Sequence, residues 1–174
     1  MPKEINATEN NYPEYNICNT NVLQFHSRIL AIDPSGTGTS GFCLAKDGII
    51  EFRQFKSSYW KKHLEFIIKL VKEEEIDTII YEHTNYINCL GKDMTFLLKL
   101  FGGIETLQYT FALEIYNLPA DQIKKWGREI KTKTELIPNL EPVGKSNRWT
   151  YQAKKISKHQ LDALLVYLLW LKKY

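Results

Sequence analysis

The chain has 174 residues and a mass of 20.4 kDa, which fits one domain and leaves little room for two. Hydrophobic residues make up 44% and charged residues 25%, as in ordinary globular proteins. Three widely spaced cysteines (Cys18, Cys43 and Cys89) without a CxxC pair argue against a disulfide framework or a zinc site. The longest apolar run, Ala163–Leu171, is less than half of the roughly 20 residues that a membrane span needs. We therefore expect the chain to be neither secreted nor membrane-spanning.

Charge is distributed unevenly along the chain. Residues 122–174 hold 12 lysines and arginines against four acids, a net charge of +8. The other 121 residues hold 11 against 16, a net charge of −5. A basic third on a mildly acidic body is typical of proteins that bind a polyanion, but a solvated lysine-rich face has the same signature. Charge alone leaves both interpretations open.

Hydrophobic periodicity predicts an α/β protein. Residues 1–27 show no periodicity and are expected to form a flexible arm that precedes one domain, residues 28–174. Asp47-Gly48 is a strong hairpin signal, so we expect the first three strands to be antiparallel. In chain order the pattern predicts strands at 29–32, 41–46 and 49–55, a helix at 57–75, a strand at 78–81, a helix at 92–111 interrupted by Gly102-Gly103, a strand at 112–117, a helix at 120–126 and a helix from 157 onward.

The expected architecture is a five-stranded mixed sheet, with the first three strands antiparallel and the last two parallel, flanked by helices. The polar and basic stretch 127–156 is assigned no regular element. The last helix should begin with a capping box, since Ser157 is followed three residues later by Gln160.

Acidic residues follow two of the predicted buried strands. Asp33 ends the first strand and Glu82 ends the fourth, while Asp162 lies in the first turns of the last helix, three residues after His159. Because the carboxyl ends of neighbouring strands open onto one crevice, these side chains form a candidate oxygen-rich site for Mg²⁺ or Mn²⁺. For each residue taken alone, an acid that faces water or a helix N-terminus is the more common explanation.

Four motifs together resemble RuvC-type Holliday junction resolvases: Ile29–Ser35 (ILAIDPS), Ser40–Phe42 (SGF), Ile79–Glu82 (IIYE) and His159–Leu164 (HQLDAL). The more elaborate and basic stretch between Trp126 and Ile156 is closer to the phage and viral members. The resemblance implies an RNase H-like fold and a homodimer that cuts four-way DNA junctions symmetrically with two Mg²⁺ ions per site, for which Mn²⁺ is a substitute. The cysteine usage favours a reducing compartment and the excess of lysine over arginine indicates an AT-rich genome, so we expect a cytoplasmic protein of a bacterium, or a phage or viral protein acting in its host.

The resemblance also assigns the site residues. Asp33, Glu82 and Asp162 would be metal-binding carboxylates, and His159, at the fourth active-site position, would either bind a metal or orient the nucleophilic water. Tyr86 lies near the place of the family's base-stacking aromatic residue. The basic segment 124–158 would contact DNA phosphates through Lys124, Lys125, Arg128, Lys131, Lys133, Lys145, Arg148, Lys154, Lys155 and Lys158.

Several alternatives remain at this point. Trp149 and Tyr151 either stack on unpaired bases or anchor their segment to the body. The same acids would serve an RNase H-fold nuclease that acts on RNA, hybrids or flaps. The glycine-rich turn after Asp33 loosely resembles a phosphate motif of actin-like ATPases, which need a much longer chain. A non-catalytic DNA-binding module is disfavoured, because unused clustered acids repel one another.

Overall fold

The computed structural model describes residues 27–84, 91–132, 137, 139–143 and 148–174, without the side chains of 130–132. Within these ranges the chain forms eight strands and four helices. In chain order they are β1 (Ile29–Asp33), β2 (Thr39–Lys46), β3 (Ile49–Lys56), α1 (Trp60–Glu73), β4 (Thr78–His83), α2 (Lys92–Phe111), β5 (Glu114–Pro119), α3 (Ala120–Thr132), β6 (Leu140–Pro142), β7 (Trp149–Tyr151), β8 (Lys154–Ile156) and α4 (Lys158–Lys173). No described helix is long and apolar enough to cross a membrane.

The main sheet has five strands in the order β3-β2-β1-β4-β5. β1 to β3 pair antiparallel, whereas β4 pairs parallel with both β1 and β5. Asp47 and Gly48 both have positive φ (52° and 77°), as the tight turn of the β2–β3 hairpin requires. The predicted five-stranded mixed sheet is therefore confirmed, and so is the hairpin.

Strand β1 runs through the centre of the protein with both faces buried. Ile29 and Ala31 face the core formed with α3 and α4, whereas Leu30 and Ile32 face the core formed with α1 and α2. A strand covered on both faces reads as a continuous apolar run, which is why its sequence does not alternate. The sheet thus lies between two helical layers. Odd-numbered residues of β1 face α3 and α4, and even-numbered residues face α1 and α2.

Helix α2 differs from the sequence-based expectation. It is continuous from Lys92 to Phe111 and passes through Gly102 and Gly103. Gly103 faces Leu64 of α1 so closely that a Cβ would lie 2.7 Å from the leucine Cδ2. Packing of the two helices therefore overrides the weak helix propensity of glycine. The helix ends at Ala112 in the left-handed conformation (φ 54°), so β5 begins at residue 114 and not 112.

The region from 127 to 156 contains more regular structure than expected. Helix α3 continues six residues beyond Trp126, because Ile123 and Trp126 pack into the core and Gly127 lies against Leu165 of α4. The short strands β6, β7 and β8 form a second antiparallel sheet. Leu140, Trp149 and Ile156, one from each strand, are buried in the same core cluster as α4. These three side chains anchor the small sheet to the body.

Helix α4 starts at a capping box, as predicted. The Gln160 backbone N–H donates to Ser157 Oγ over 3.2 Å, and the Ser157 N–H donates to Gln160 Oε1 over 2.8 Å. A capping box fixes the first turn of a helix. The residues that follow, including Leu161, Leu164 and Leu165, are buried against the sheet. The capping box and the buried leucines together thus fix the position of the first turn of α4.

Candidate active site

Two carboxylates meet at the carboxyl edge of the parallel strands. The last registered pair of β1 and β4 is Ile32 with Tyr81, so Asp33 and Glu82 follow side by side. Because alternate residues of a strand face the same side, Asp33 faces the same side as Ala31, and Glu82 the same side as Ile80. Ala31 and Ile80 both belong to the core that includes α4. The two acids therefore lie on the α4 side of the sheet.

His83 lies on the opposite face from Glu82. Its ring packs against Phe101 of α2 with 4.9 Å between ring centroids, and against Tyr81 with 6.3 Å. The next side chain after the acid thus belongs to the helical layer of α1 and α2. His83 therefore packs against the core, on the side of the sheet away from the carboxylates.

Helix α4 brings His159 to Asp33. The His159 Nδ1 lies 2.8 Å from Asp33 Oδ2. A carboxylate only accepts hydrogen bonds, so Nδ1 carries the proton and donates it. This hydrogen bond is the main cause that raises the pKa of His159, and the charges of Asp33 and Asp162 act in the same direction. The imidazole thereby holds the strand-end carboxylate in one orientation.

Gly41 permits this approach of α4 to the sheet. It pairs with Asp33 across β1 and β2, and a Cβ on it would collide with the carbonyl oxygen of His159. Any larger residue would push the first turn of α4 away from β1. Sequence analysis noted Gly41 only as part of a motif, because its role depends on a contact between residues 118 positions apart. No local signal identifies it.

The four sequence-predicted site residues line one cavity of about 480 Å³. Asp33 comes from β1, Glu82 from β4, and His159 and Asp162 from α4. The side chain of Asp33 is 17% exposed and that of His159 is 42% exposed, so the carboxylate lies deeper than the imidazole. Three basic residues line the same cavity: Lys124, Arg128 and Lys158.

The carboxylates destabilise one another electrostatically. Burial, followed by the charges of Asp33 and Asp162, raises the pKa of Glu82 to about 7, although Lys124 and Lys158 oppose the shift. A half-buried carboxyl with this pKa gains from any cation that enters the cavity. The like-charged acids therefore favour binding of a positive ion at this point.

The donor chemistry fits a hard divalent cation. Three carboxylates and an imidazole from three separate elements face the cavity, and oxygen-rich sets of this kind suit Mg²⁺ or Mn²⁺. In the described part of the chain, no three His, Cys, Asp or Glu side chains lie close enough to hold one ion as they stand. Binding of an ion would therefore require the acids to move closer together. Asp33 is hydrogen-bonded to His159 in the present arrangement.

The predicted DNA-contacting residues fall into three groups. Lys124, Arg128 and Lys158 line the acidic cavity. Lys125 on α3, Arg148 before β7, and Lys154 and Lys155 on β8 are exposed outside it. Tyr86, Lys133 and Lys145, the side chain of Lys131 and the N-terminal arm up to residue 26 lie outside the described residues. The association of three cations with the acids was not evident from the sequence, where all ten basic residues looked alike.

The two aromatic residues of the small sheet are attached to the body. Trp149 is 6% exposed and belongs to the core cluster. The Tyr151 ring meets Phe52 of β3 edge to face, with 5.6 Å between ring centroids. This arrangement fits the anchoring interpretation. Base stacking by Trp149 would require its indole to leave the core.

The fold and the carboxylate-lined cavity define an α/β domain of the RNase H-like type. The chain is similar to a structure of T. thermophilus RuvC in complex with a Holliday junction substrate, with a TM-score of 0.61, 13% identity, and 85% of this chain and 96% of that chain covered. A second structure of Thermus thermophilus RuvC gives a TM-score of 0.54 and 15% identity, with 81% and 91% covered. No protein-family model matches the sequence, and no curated protein matches it. The likeness confirms the RNase H-like fold that the sequence motifs implied.

Proposed function

We propose that this chain is a metal-dependent endonuclease that cuts four-way DNA junctions into paired, symmetric nicks. The observation that carries the proposal is the convergence of Asp33, Glu82, His159 and Asp162 on one cavity of an RNase H-like fold. The similarity to a RuvC structure that holds a Holliday junction substrate supports a branched DNA as the substrate. Lys124, Arg128 and Lys158, which line the same cavity, supply positive charge for a DNA phosphate.

The carboxylates of Asp33, Glu82 and Asp162 would hold two Mg²⁺ ions. When bound, such ions activate a water and stabilise the leaving oxygen of an in-line displacement at phosphorus. The Glu82 carboxyl, whose pKa of about 7 reflects burial and its acidic neighbours, ionises fully once positive charge enters the cavity. His159 orients Asp33 through Nδ1 and holds a proton at that atom.

Lys124, Arg128 and Lys158 bind the phosphate that enters the cavity. The exposed Arg148, Lys154 and Lys155 extend the positive surface away from it. Phosphate contacts of this kind position the DNA without reading its sequence. Symmetric cleavage of a four-way junction needs two active sites, so the active form is a homodimer. The proposed setting is the cytoplasm of a bacterium or of an infected host cell.

The test compares a synthetic four-way junction with a linear duplex built from the same sequences, in Mg²⁺ and in Mn²⁺. Wild type and Asp33→Asn are assayed side by side. Paired symmetric nicks in the junction alone, lost in the variant, are the expected result. Equal cutting of both substrates would keep the nuclease and remove the junction specificity. Binding without cutting in either metal would leave a structure-specific DNA-binding protein and overturn the enzymatic proposal.

A further inference from the structure

A buried polar pair lies behind the site, on the other side of the sheet from α4. Ser40 of β2 and His63 of α1 are both fully buried. The Ser40 Oγ lies 2.9 Å from His63 Nδ1, and His63 Nε2 lies 3.0 Å from the Ser57 carbonyl oxygen. A carbonyl only accepts, so Nε2 carries the proton and Nδ1 accepts from the Ser40 hydroxyl. Burial lowers the pKa of His63, which agrees with this neutral form.

The pair is joined to the turn that follows Asp33. The Ser40 Oγ accepts a 2.9 Å hydrogen bond from the Ser35 N–H, two residues after the carboxylate. Ser35 Oγ in turn accepts from the Gly38 N–H over 2.8 Å, and the Gly38 carbonyl accepts from the Ser57 N–H over 3.0 Å. These bonds form a closed circuit that runs from the turn through β2 and α1 and back to the turn.

The same turn is held on its far side by α2. Thr37 Oγ1 donates to Asp93 Oδ1 over 2.7 Å. Gly36 is buried against the backbone of Phe96 and Leu97, where a Cβ would collide with both. The turn between β1 and β2 is therefore fixed between Ser57, which precedes α1, and the first two turns of α2. A glycine-rich loop is otherwise among the most mobile parts of a protein.

Ser40 also adjoins the contact between the sheet and α4. Its neighbour Gly41 lies opposite Asp33 and supports the His159 backbone. Ser40 is thus one residue along β2 from the position that contacts both Asp33 and His159. A displacement of β2 at this point would move the carboxylate and the imidazole at once.

We infer that the Ser40–His63 pair positions the Asp33 carboxylate for the reaction, acting through the turn at residues 34–38. The inference rests on the proposed nuclease function. Neither side chain lines the acidic cavity, so both are positioning residues. A buried, fully satisfied polar pair is a costly substitute for apolar packing, and small displacements of a reacting group lower rates steeply.

The first test is Ser40→Ala, which removes one oxygen atom and leaves the Ser35 N–H and His63 Nδ1 without their partner. The matched control is Thr78→Val, which removes another buried hydroxyl, bonded to Asp77 Oδ1 over 2.8 Å, at the opposite end of the sheet. Both variants are expected to melt at a lower temperature than wild type. Assays well below both melting temperatures then separate stability from positioning.

For Ser40→Ala we expect kcat to fall roughly tenfold to a hundredfold, with the KM for the junction within about twofold of wild type. Calorimetric binding of Mn²⁺ without DNA should weaken as well. Thr78→Val should retain wild-type kcat and Mn²⁺ binding. Equal behaviour of the two variants would overturn the inference. If wild type does not cut junctions, the proposed function fails, while the Mn²⁺ comparison still tests the positioning of Asp33.

A second pair of variants works even if Ser40→Ala does not fold. The amide of Asn reaches the position of His Nδ1, whereas the longer Gln reaches that of Nε2. His63→Asn keeps the bond to Ser40 and His63→Gln keeps the bond to Ser57, and both lose the ring. We expect His63→Asn to retain more kcat and tighter Mn²⁺ binding than His63→Gln. Equal or reversed order would contradict the inference.

Discussion

His159 Nδ1 donates a 2.8 Å hydrogen bond to Asp33 Oδ2, although 126 residues separate them along the chain. The bond joins the central strand of the sheet to the first turn of α4. It orients the Asp33 carboxylate, and it raises the pKa of the imidazole. Removing the charge of Asp33 should therefore affect both partners.

Asp33→Asn should abolish cleavage and leave DNA binding intact, because it removes a charge but almost no volume. The measurement is nicking of a four-way junction together with a binding assay in Ca²⁺ or without metal. Asp47→Asn, the same exchange in the β2–β3 hairpin at the other end of the sheet, is the control and should cut normally. Unchanged turnover of Asp33→Asn would end the nuclease hypothesis.

Glu82→Gln should stabilise the metal-free protein at alkaline pH. The folded pKa of Glu82, about 7, lies above its ordinary 4.5. Its contribution to stability is therefore present at acid pH and is lost as the pH rises from about 4.5 through 7. Glutamine has no charge to lose. At pH 8 in EDTA we expect a gain on the order of 1 kcal/mol, or roughly 2–4 °C in melting temperature.

At pH 4.5 the melting temperatures of Glu82→Gln and wild type should converge, because the glutamate is then largely protonated. Added Mg²⁺ should raise the melting temperature of wild type at pH 8 more than that of the variant. A Glu82→Gln protein that melts below wild type at pH 8 would show that the ionised carboxylate is not destabilising.

Lys124→Met and Lys158→Met should weaken junction binding and lower its salt dependence. Each lost phosphate contact reduces the slope of log K against log salt by about 0.9. Lys46→Met, at the opposite end of the sheet, is the control. Binding isotherms at several salt concentrations measure the slopes. Equal slopes for all three variants would exclude the two cavity lysines as phosphate contacts.

Gly41→Ala should destabilise the protein by roughly 1–3 kcal/mol or more, because the added methyl group meets the His159 carbonyl. Gly102→Ala in α2 is the contrasting variant, since a Cβ there meets nothing within 4 Å. It should stabilise by about 0.5–1 kcal/mol through helix propensity. Chemical denaturation measures both changes, and a neutral Gly41→Ala would contradict the close packing of α4 on β2.

The sequence predicted those elements whose cause is local. The uninterrupted apolar run of β1, the Asp47-Gly48 turn and the Ser157 capping box each carry their signal within a few residues. Helix α2 was expected to be interrupted at Gly102-Gly103, because the contact of Gly103 with Leu64 of α1 is not visible along the chain. The three-residue strands of the small sheet are too short to show a period, and distant core contacts stabilise them.

For the candidate site, too, the sequence predicted the residues with a local signal and not the contacts between distant elements. The acids at strand ends and in the last helix were identifiable from their spacing and from the family motifs. The hydrogen bond between His159 and Asp33, the association of Lys124 and Lys158 with Glu82, and the support from Ser40 and His63 are all tertiary. Each joins elements that no local pattern relates. Only the three-dimensional structure shows these contacts.

Helix α4 contributes five buried residues to the core and five residues to the lining of the cavity, and it follows every other described element along the chain. Synthesis from the ribosome therefore delivers Asp33 and Glu82 long before the helix that completes their surroundings. Contacts across such sequence distances form late and slowly in folding. A nascent chain that lacks α4 has neither the central packing nor the full set of acids and imidazole. The proposed cleavage activity therefore requires α4, and a chain that ends before residue 157 is expected not to cut DNA.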